Sequence, residues 1–499
     1  MTDESSQDFE RLLDFCSKNA IVIHPSIKPR KVYGAGLGIY TIDRVRAGAH
    51  LVQVPTKHVF TPDSIPESFI PNSLRKDLAV HAQLAAFFAF ASKDDLEQYR
   101  PWLDTWPALH DFTDTMPIFY GEWAEYILLQ LGRMKDEIHP RQNAKKRTSK
   151  RRKITLSGTF TIPPAHPTSS SLLAKMADKL VQHIKSVNKI MSHLNLIQDD
   201  LKLTKFLHAW CLVNTRCFYY FSPAASKLLK RGKLKSKPPS DPNEAMALCP
   251  FMDLFNHRAP SPSLDVFGSQ AETSTSQSLP CKVQSTAAGF TVTTTSPTLA
   301  NTEVLLSYGA HTNDTLWSEY GFLLPHATNT SDSICLDEIV SESMTSLHRT
   351  TLEDHGYLEN YTLHNDGSIC YRTEMASWLL VLGRQKWAKV VAEGLDPEDS
   401  CTTPNGKERH EEYLHKWLNK VTHAAEQNIK VLNQLAEEKL LQSFKTMSIV
   451  ASSYLESDED SLRLARQRRD MCLLRWEQIK SMASRGINKF KEENNQIRI

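Results

Sequence analysis

The sequence predicts an α+β chain in two parts: a β-rich first part interrupted by a helical insertion, then an all-helical second part. Three observations carry that expectation. Residues 32–60 (VYGAGLGIYTIDRVRAGAHLVQVPTKHVF) mix β-branched residues with glycine turns, the pattern of short strands joined by tight connections. Residues 74–132 and 172–215 turn helical in texture, the second placing Leu172, Met176, Leu180 and Ile184 at helical spacing. Beyond residue 330, segments 377–394 and 426–455 place apolar residues at i, i+3 and i+4, the stripe by which a helix buries one face.

The elements follow in order. Phe9, Leu12, Leu13 and Phe15–Cys16 give a short amphipathic helix over 8–20. Within 32–60, a strand runs to Tyr40, a turn falls near Ala47–Gly48, and a second strand covers His50 to Val54. Trp102, Trp106 and Trp123 sit near prolines in the helical block and are expected to pack between helices. Residues 140–171 are basic, Ser/Thr-rich and Pro-rich, too polar for a core, and read as a disordered loop. Its run KKRTSKRRK (145–153) reads equally as a nuclear import signal or as a solvated stretch. Polar loops are expected at 224–244 and 259–279, strands at 289–295 and 303–309, and a helix charged on one side at 461–493.

Composition narrows the class. In 499 residues, 40% hydrophobic and 23% charged exclude global disorder. Lys and Arg number 59 against 57 acidic residues, a balance that argues against a nucleic-acid coat. Nine cysteines lie far apart with no CxxC pair, so a disulfide scaffold or zinc ribbon is not expected and a reducing compartment is. No apolar run approaches the ~18–20 residues of a membrane helix. The polar N-terminus MTDESSQDFE fits neither a secretory signal nor a mitochondrial presequence. These bounds predict a soluble intracellular protein with no membrane partner.

Three constellations could carry chemistry. Gly34-Ala35-Gly36-Leu37-Gly38 allows close backbone approach to a ligand. It lacks the helix that a phosphate-binding GxGxxG would open, and a plain β-turn is the alternative. Cys249-Pro250-Phe251-Met252-Asp253-Leu254-Phe255-Asn256-His257 sets three polar groups in an apolar segment. Buried polar side chains must bond backbone or ligand. Asp253 and His257 could form a metal pair, but no cluster with ligand spacing completes it, so no metal is expected. A capped helix end is the bland alternative. Glu303-Val304-Leu305-Leu306-Ser307-Tyr308-Gly309 ends an apolar run in Tyr-Gly, and Tyr320-Gly321-Phe322 follows.

In this order, with Asn214-Thr215-Arg216-Cys217-Phe218 before the D-x-x-N-H segment, the motifs resemble the SET-domain protein lysine methyltransferases. Within them the chain resembles the subgroup typified by the Rubisco large-subunit methyltransferase and the fungal ribosomal-protein lysine methyltransferases. The motifs cover about 30–325; the remainder matches in helical character alone. The resemblance implies a pseudoknotted SET domain over 20–325, with core at about 30–60 and 206–325 and a helical insertion at about 61–205. It implies a helical substrate-binding domain over 331–499. It implies S-adenosylmethionine as cofactor, held by Ala35, Gly36, Leu37, Arg216, Asp253, Asn256, His257, Tyr308 and Tyr320, with Tyr308 catalytic. Alanine stands at 35 where some relatives carry glutamate, and Thr215 replaces a serine.

The implied reaction is methyl transfer to a lysine amine of a protein, with a non-histone, ribosomal or translation-related substrate favoured. The implied location is nucleus or cytoplasm, and a monomer is expected. Two alternatives stay open. The fold could serve as a non-catalytic protein-binding module, or the acceptor could be histidine. Retention of Asn256, His257 and Tyr308 favours the enzyme.

Overall fold

The structure, a computed structural model, describes residues 3–32, 36–138, 170–197, 199–220, 245–260, 281–286, 288–402, 405–451 and 455–497. The basic run 145–153, most of each expected polar loop, and Ala35 lie outside the described residues. Ser170 and Ser171, expected in the first of those loops, instead open the helix Ser170–His193.

The strands of the first part are β1 (Val22–Ile23), β2 (Ile27–Val32), β3 (Gly36–Thr41), β4 (His50–Pro55), β5 (Phe218–Tyr219), β6 (Met246–Ala247), β7 (Cys281–Thr286) and β8 (Gly289–Thr294). They form an antiparallel sheet of order β1-β4-β8-β7 and two ribbons, β2-β3 and β5-β6. The register Val52↔Val292 and Val54↔Phe290 joins distant parts of the sequence. All four of these side chains are buried, whereas Gln53 between Val52 and Val54 is exposed. The period-2 alternation thus sets the face that packs inward.

The segment expected as a strand over 303–309 forms no ladder. Its backbone changes partners midway. Val304 donates to Ile39 O at 2.7 Å, then Leu306 donates to Asn256 O at 2.9 Å. Single bridges Tyr40↔Glu303 and His257↔Leu306 result. The segment therefore stitches β3 to the residues around His257.

The insertion is a set of helices. Between 72 and 138 it is cut into Asn72–Arg75, Val80–Phe90, Lys93–Glu97, Arg100–Leu103, Leu109–Thr113 and Gly121–Ile138. Pro71, Pro101, Pro107 and Pro117 fall at or between these pieces, where the missing N–H is tolerated. The helix Asp200–Arg216 packs on Val80–Phe90 and ends at the site.

The second part is helical, with one added ribbon, β9 (Ser333–Cys335) paired with β10 (Thr362–His364). The stretch expected as one helix over 377–394 breaks at Gly383, φ +74°, between Tyr371–Leu382 and Arg384–Ala392. That left-handed backbone suits glycine. The stretch 426–455 likewise divides after Gln434. Gly406–Gln434 packs against the longest helix, Asp458–Ile497. Two apolar clusters hold the chain together. Tyr120 and Trp317 join the cluster of the helical half, and Met447 and Val450 join the other, so the halves interlock. Among the described residues no helix is long and apolar enough to cross a membrane.

Candidate active site

The site is built around a strained turn. Phe251 is fully buried at φ +68°, a conformation that costs a bulky residue energy and persists only where its surroundings impose it. It opens the short 3-10 turn Met252–Leu254. That turn carries Asp253 into the protein. The indole N–H groups of Trp102 (3.1 Å to each oxygen) and Trp106 (2.8 Å) donate to its carboxylate. Arg216 Nη1 donates to the Asp253 carbonyl at 2.6 Å and lies 3.5 Å from Oδ2. Burial pushes the Asp253 carboxyl up, while Arg216 and the two indoles pull it back. The Asp253 carboxylate is thus satisfied inside the protein, and the carbonyl of the same residue anchors Arg216.

Asn256 ties the glycine-rich strand to the stitching segment. Its Nδ2 donates to Leu37 O at 3.1 Å and to Glu303 Oε1 at 2.8 Å. Gly38 sits beneath this bridge. A Cβ there would collide with the Glu303 carboxylate and come within 2.9 Å of Asn256 Nδ2. The constraint on this third glycine is close packing against two side-chain ends, since its φ is not in the left-handed region. Gly38→Ala is expected to push the Glu303 carboxylate and the Asn256 amide aside, loosening the Asn256 bond to Leu37, and to destabilise the fold by about 1 kcal/mol, the low end of the overpacking cost. Chemical denaturation checks this.

His257 and the two tyrosines complete the arrangement. Tyr308 N–H donates to His257 Nδ1 at 3.0 Å, which leaves the ring proton on Nε2. Among the described residues that Nε2 is buried without a partner, as is Arg216 Nε. Burial and neighbouring His311 push the His257 pKa down to about 4, so the ring is neutral near pH 7. The Tyr308 hydroxyl donates to Phe255 O at 2.7 Å. The Tyr308 and Tyr320 rings lie 5.1 Å apart. Burial pushes the Tyr308 phenol up to about 12 and raises that of Tyr320 as well. Both stay protonated at neutral pH. A cavity of about 320 Å³ is lined by Arg216, Phe218, Asp253, Phe255, Tyr308 and Tyr320 among others.

The depressed His257 pKa has a pH consequence. The unfolded chain takes up the proton near pH 6.5 and the folded chain only near 4. Its stabilising contribution is therefore full above about pH 6.5 and is lost as pH falls toward 4. His257→Asn should cost more stability at pH 7.5 than at pH 5, by denaturant titration of both proteins. An equal cost at both pH values would contradict a buried neutral imidazole.

The structure brings Arg216, Asp253, His257, Tyr308 and Tyr320 together, with Asn256 holding Leu37 from behind. Gly36 is exposed at the start of β3. Trp102, Trp106, Glu303 and Phe255 went unassigned as site residues by sequence reasoning. The clustering of two tryptophans beside Pro101 and Pro107 was the one available signal, and it predicted packing, not a carboxylate anchor.

No family model matches the chain. The solved structure of Rubisco LSMT bound to AdoMet aligns with 97% of this chain and 93% of that one, with TM-score 0.50 at 14% identity. This chain has the SET fold. Among curated proteins the SET-fold chain is similar to SET domain-containing protein 4 of Mus musculus, 29% identical over 265 residues, which cover 50% of this chain and 54% of that protein. It is also similar to ribosomal lysine N-methyltransferase 2 of Saccharomyces cerevisiae, 26% identical over 247 residues and 46% of each chain. The chain spans about half the length of the curated relatives it matches.

Proposed function

We propose that the chain transfers a methyl group from S-adenosylmethionine to the ε-amine of a lysine in a protein, with a non-histone, ribosomal or translation-related protein as the favoured substrate. The supporting observation is the cavity where Tyr308 and Tyr320 meet Arg216. Arg216, on its wall, has a buried Nε without a partner among the described residues, and so has the Nε2 of His257, whose ring packs on Tyr308. An orphaned buried donor is costly, and a polar cofactor would satisfy both, so the residues present fit the group. The relatives' printed names point to the same chemistry.

Bound S-adenosylmethionine supplies a methyl carbon made electrophilic by a sulfonium. Gly36 and Leu37 offer backbone, Arg216 and His257 offer donors, and Asn256 fixes Leu37 in place. Asp253 acts by holding Arg216. A free lysine has a pKa of about 10.4, so neutralising it near pH 7.4 costs roughly 4 kcal/mol. A narrow aromatic cavity lowers that cost by desolvating the charged amine. Tyr308 donates its proton to Phe255 O, which leaves its oxygen lone pairs to accept from the amine N–H. Its phenol does not ionise, so it orients the amine and takes no proton from it.

The helical part, 331–499, is assigned to docking the protein substrate. The exposed face of its last helix includes Arg463 and Arg466. Exposed charges contribute on the order of 0.2–1 kcal/mol each, so Arg463→Ala/Arg466→Ala should raise KM for intact substrate several-fold with cofactor Kd unchanged. The reading as a whole is tested by calorimetric titration with S-adenosylhomocysteine. Wild type should bind, and His257→Asn should bind more weakly. A folded wild type that does not bind would overturn it.

A further inference from the structure

We propose that Arg468 and Arg475 of the long C-terminal helix are positioning residues for Tyr320, bracing both ends of the helix Asn313–Tyr320 from the other half of the chain. The two arginines are seven residues apart, close to two turns, and so lie on one helix face. Both are fully buried.

Arg475 holds the start of the tyrosine-bearing helix. Its Nε donates to Asp314 Oδ1 at 2.7 Å. Its Nη1 and Nη2 fork onto the two oxygens of Asp332 at 2.6 and 3.2 Å. Asp332 Oδ1 in turn accepts the backbone N–H of Asn313 at 2.8 Å. One turn after Arg475, Gln478 Oε1 accepts from Asn313 Nδ2 at 2.9 Å, and Gln478 Nε2 donates to Leu324 O at 3.0 Å. Asn329 extends the net by donating to His311 O at 3.1 Å, and His311 Nε2 lies 3.1 Å from Tyr308 O.

Arg468 holds the end of the same helix, through the turn beneath it. Its Nη2 donates to Thr113 O at 2.7 Å and its Nε to Asp114 O at 3.2 Å. The guanidinium also sits 4.3 Å over the Tyr120 ring. The next residue, Thr115, accepts the Trp317 indole N–H on its carbonyl at 2.9 Å. Its Oγ1 packs where a side chain at Gly321 would stand. Tyr320 lies between these two grips, and its ring faces Tyr308.

Burying a guanidinium with two carboxylates is weak evidence for stability, because apolar residues of similar volume often hold a fold as well. Directional forks are suited to fixing register. The helical half, assigned above to docking, therefore also sets the width of the tyrosine pocket. The assignment rests on Tyr308 and Tyr320 forming the methyl-transfer pocket.

The test uses the full chain. Arg475→Lys keeps one charge but loses the fork. Gln478→Met keeps volume, loses only amide bonds, and is expected to fold even if Arg475→Lys does not. Lys389→Met, exposed on a remote helix, is the control. Hydrogen–deuterium exchange over 311–322 is read beside kcat, cofactor Kd and the number of methyl groups added. Exchange should quicken and kcat fall by about tenfold to a hundredfold, as small misplacements at a reacting centre do. Cofactor Kd should stay within about twofold, and the methyl number should shift. Unchanged exchange or unchanged kcat in folded Gln478→Met would overturn the brace. If wild type transfers no methyl, the functional reading fails by itself, and the exchange arm still decides the brace.

Discussion

Tyr308→Phe is expected to fold, to bind S-adenosylmethionine within a few-fold of wild type, and to lose about 10²–10³ in kcat. The ring keeps its volume and its place against Tyr320 and His257, so packing holds. Only the hydroxyl leaves. It is a buried dipole fixed by its bond to Phe255 O, and removing one such preorganised group costs about 2.7–4 kcal/mol of transition-state stabilisation. The Phe255 carbonyl loses a partner as well, which adds about 1 kcal/mol of lost stability. Turnover and cofactor Kd measured side by side separate the two effects. Near-normal kcat in the folded variant would make Tyr308 a packing residue with a satisfied hydroxyl and no more.

Asp253→Ala should be among the most damaging single changes to the fold of the first half. It strips the carboxylate acceptor from the Trp102 and Trp106 indoles and removes the charge 3.5 Å from Arg216, whose bond to the backbone carbonyl stays, inside a region where both Asp253 and Trp102 are buried. Removing one partner of a buried ionic cluster costs about 3–5 kcal/mol. Asp253→Asn retains an oxygen for one indole and should cost less. Urea denaturation followed by tryptophan fluorescence reads both variants. A loss under about 1 kcal/mol for Asp253→Ala would show that the indoles find other acceptors.

What could be read from sequence was what is local. Glycines at 36 and 38, Asp253 through His257, and the two Tyr-Gly steps are short patterns; Asp253, Phe255, Tyr308 and Tyr320 line the cavity, and Asn256 bonds Leu37 between the glycines. The strands His50–Pro55 and Gly289–Thr294 were legible because β-branched residues recur in short segments bounded by glycine turns. The partners of these motifs were not legible. Trp106 meets Asp253 across 147 positions and Arg475 meets Asp314 across 161. No periodicity encodes such a pairing. Residues 303–309 misled in another way. Their apolar run has strand composition, but its backbone bonds are divided between two neighbours. Gly383 was hidden inside a good helical stripe, where one glycine weakens a helix expectation without cancelling it.

The Arg475 and Gln478 contacts also change how the second half is understood. Its sequence showed helical character, and the resemblance implied a substrate-binding domain. The structure sets its longest helix directly against the helix that ends in Tyr320.

The central claim is transfer of a methyl group to lysine, and one measurement tests it most directly. The full chain is incubated with S-adenosylmethionine carrying a deuterated methyl group and a lysate lacking the enzyme, and labelled peptides are mapped by mass spectrometry. The account predicts deuterated methyl on a lysine ε-amine of a non-histone protein with wild type, and its loss with Tyr308→Phe. A folded, cofactor-binding wild type that labels no protein, or that labels histidine in place of lysine, would contradict it.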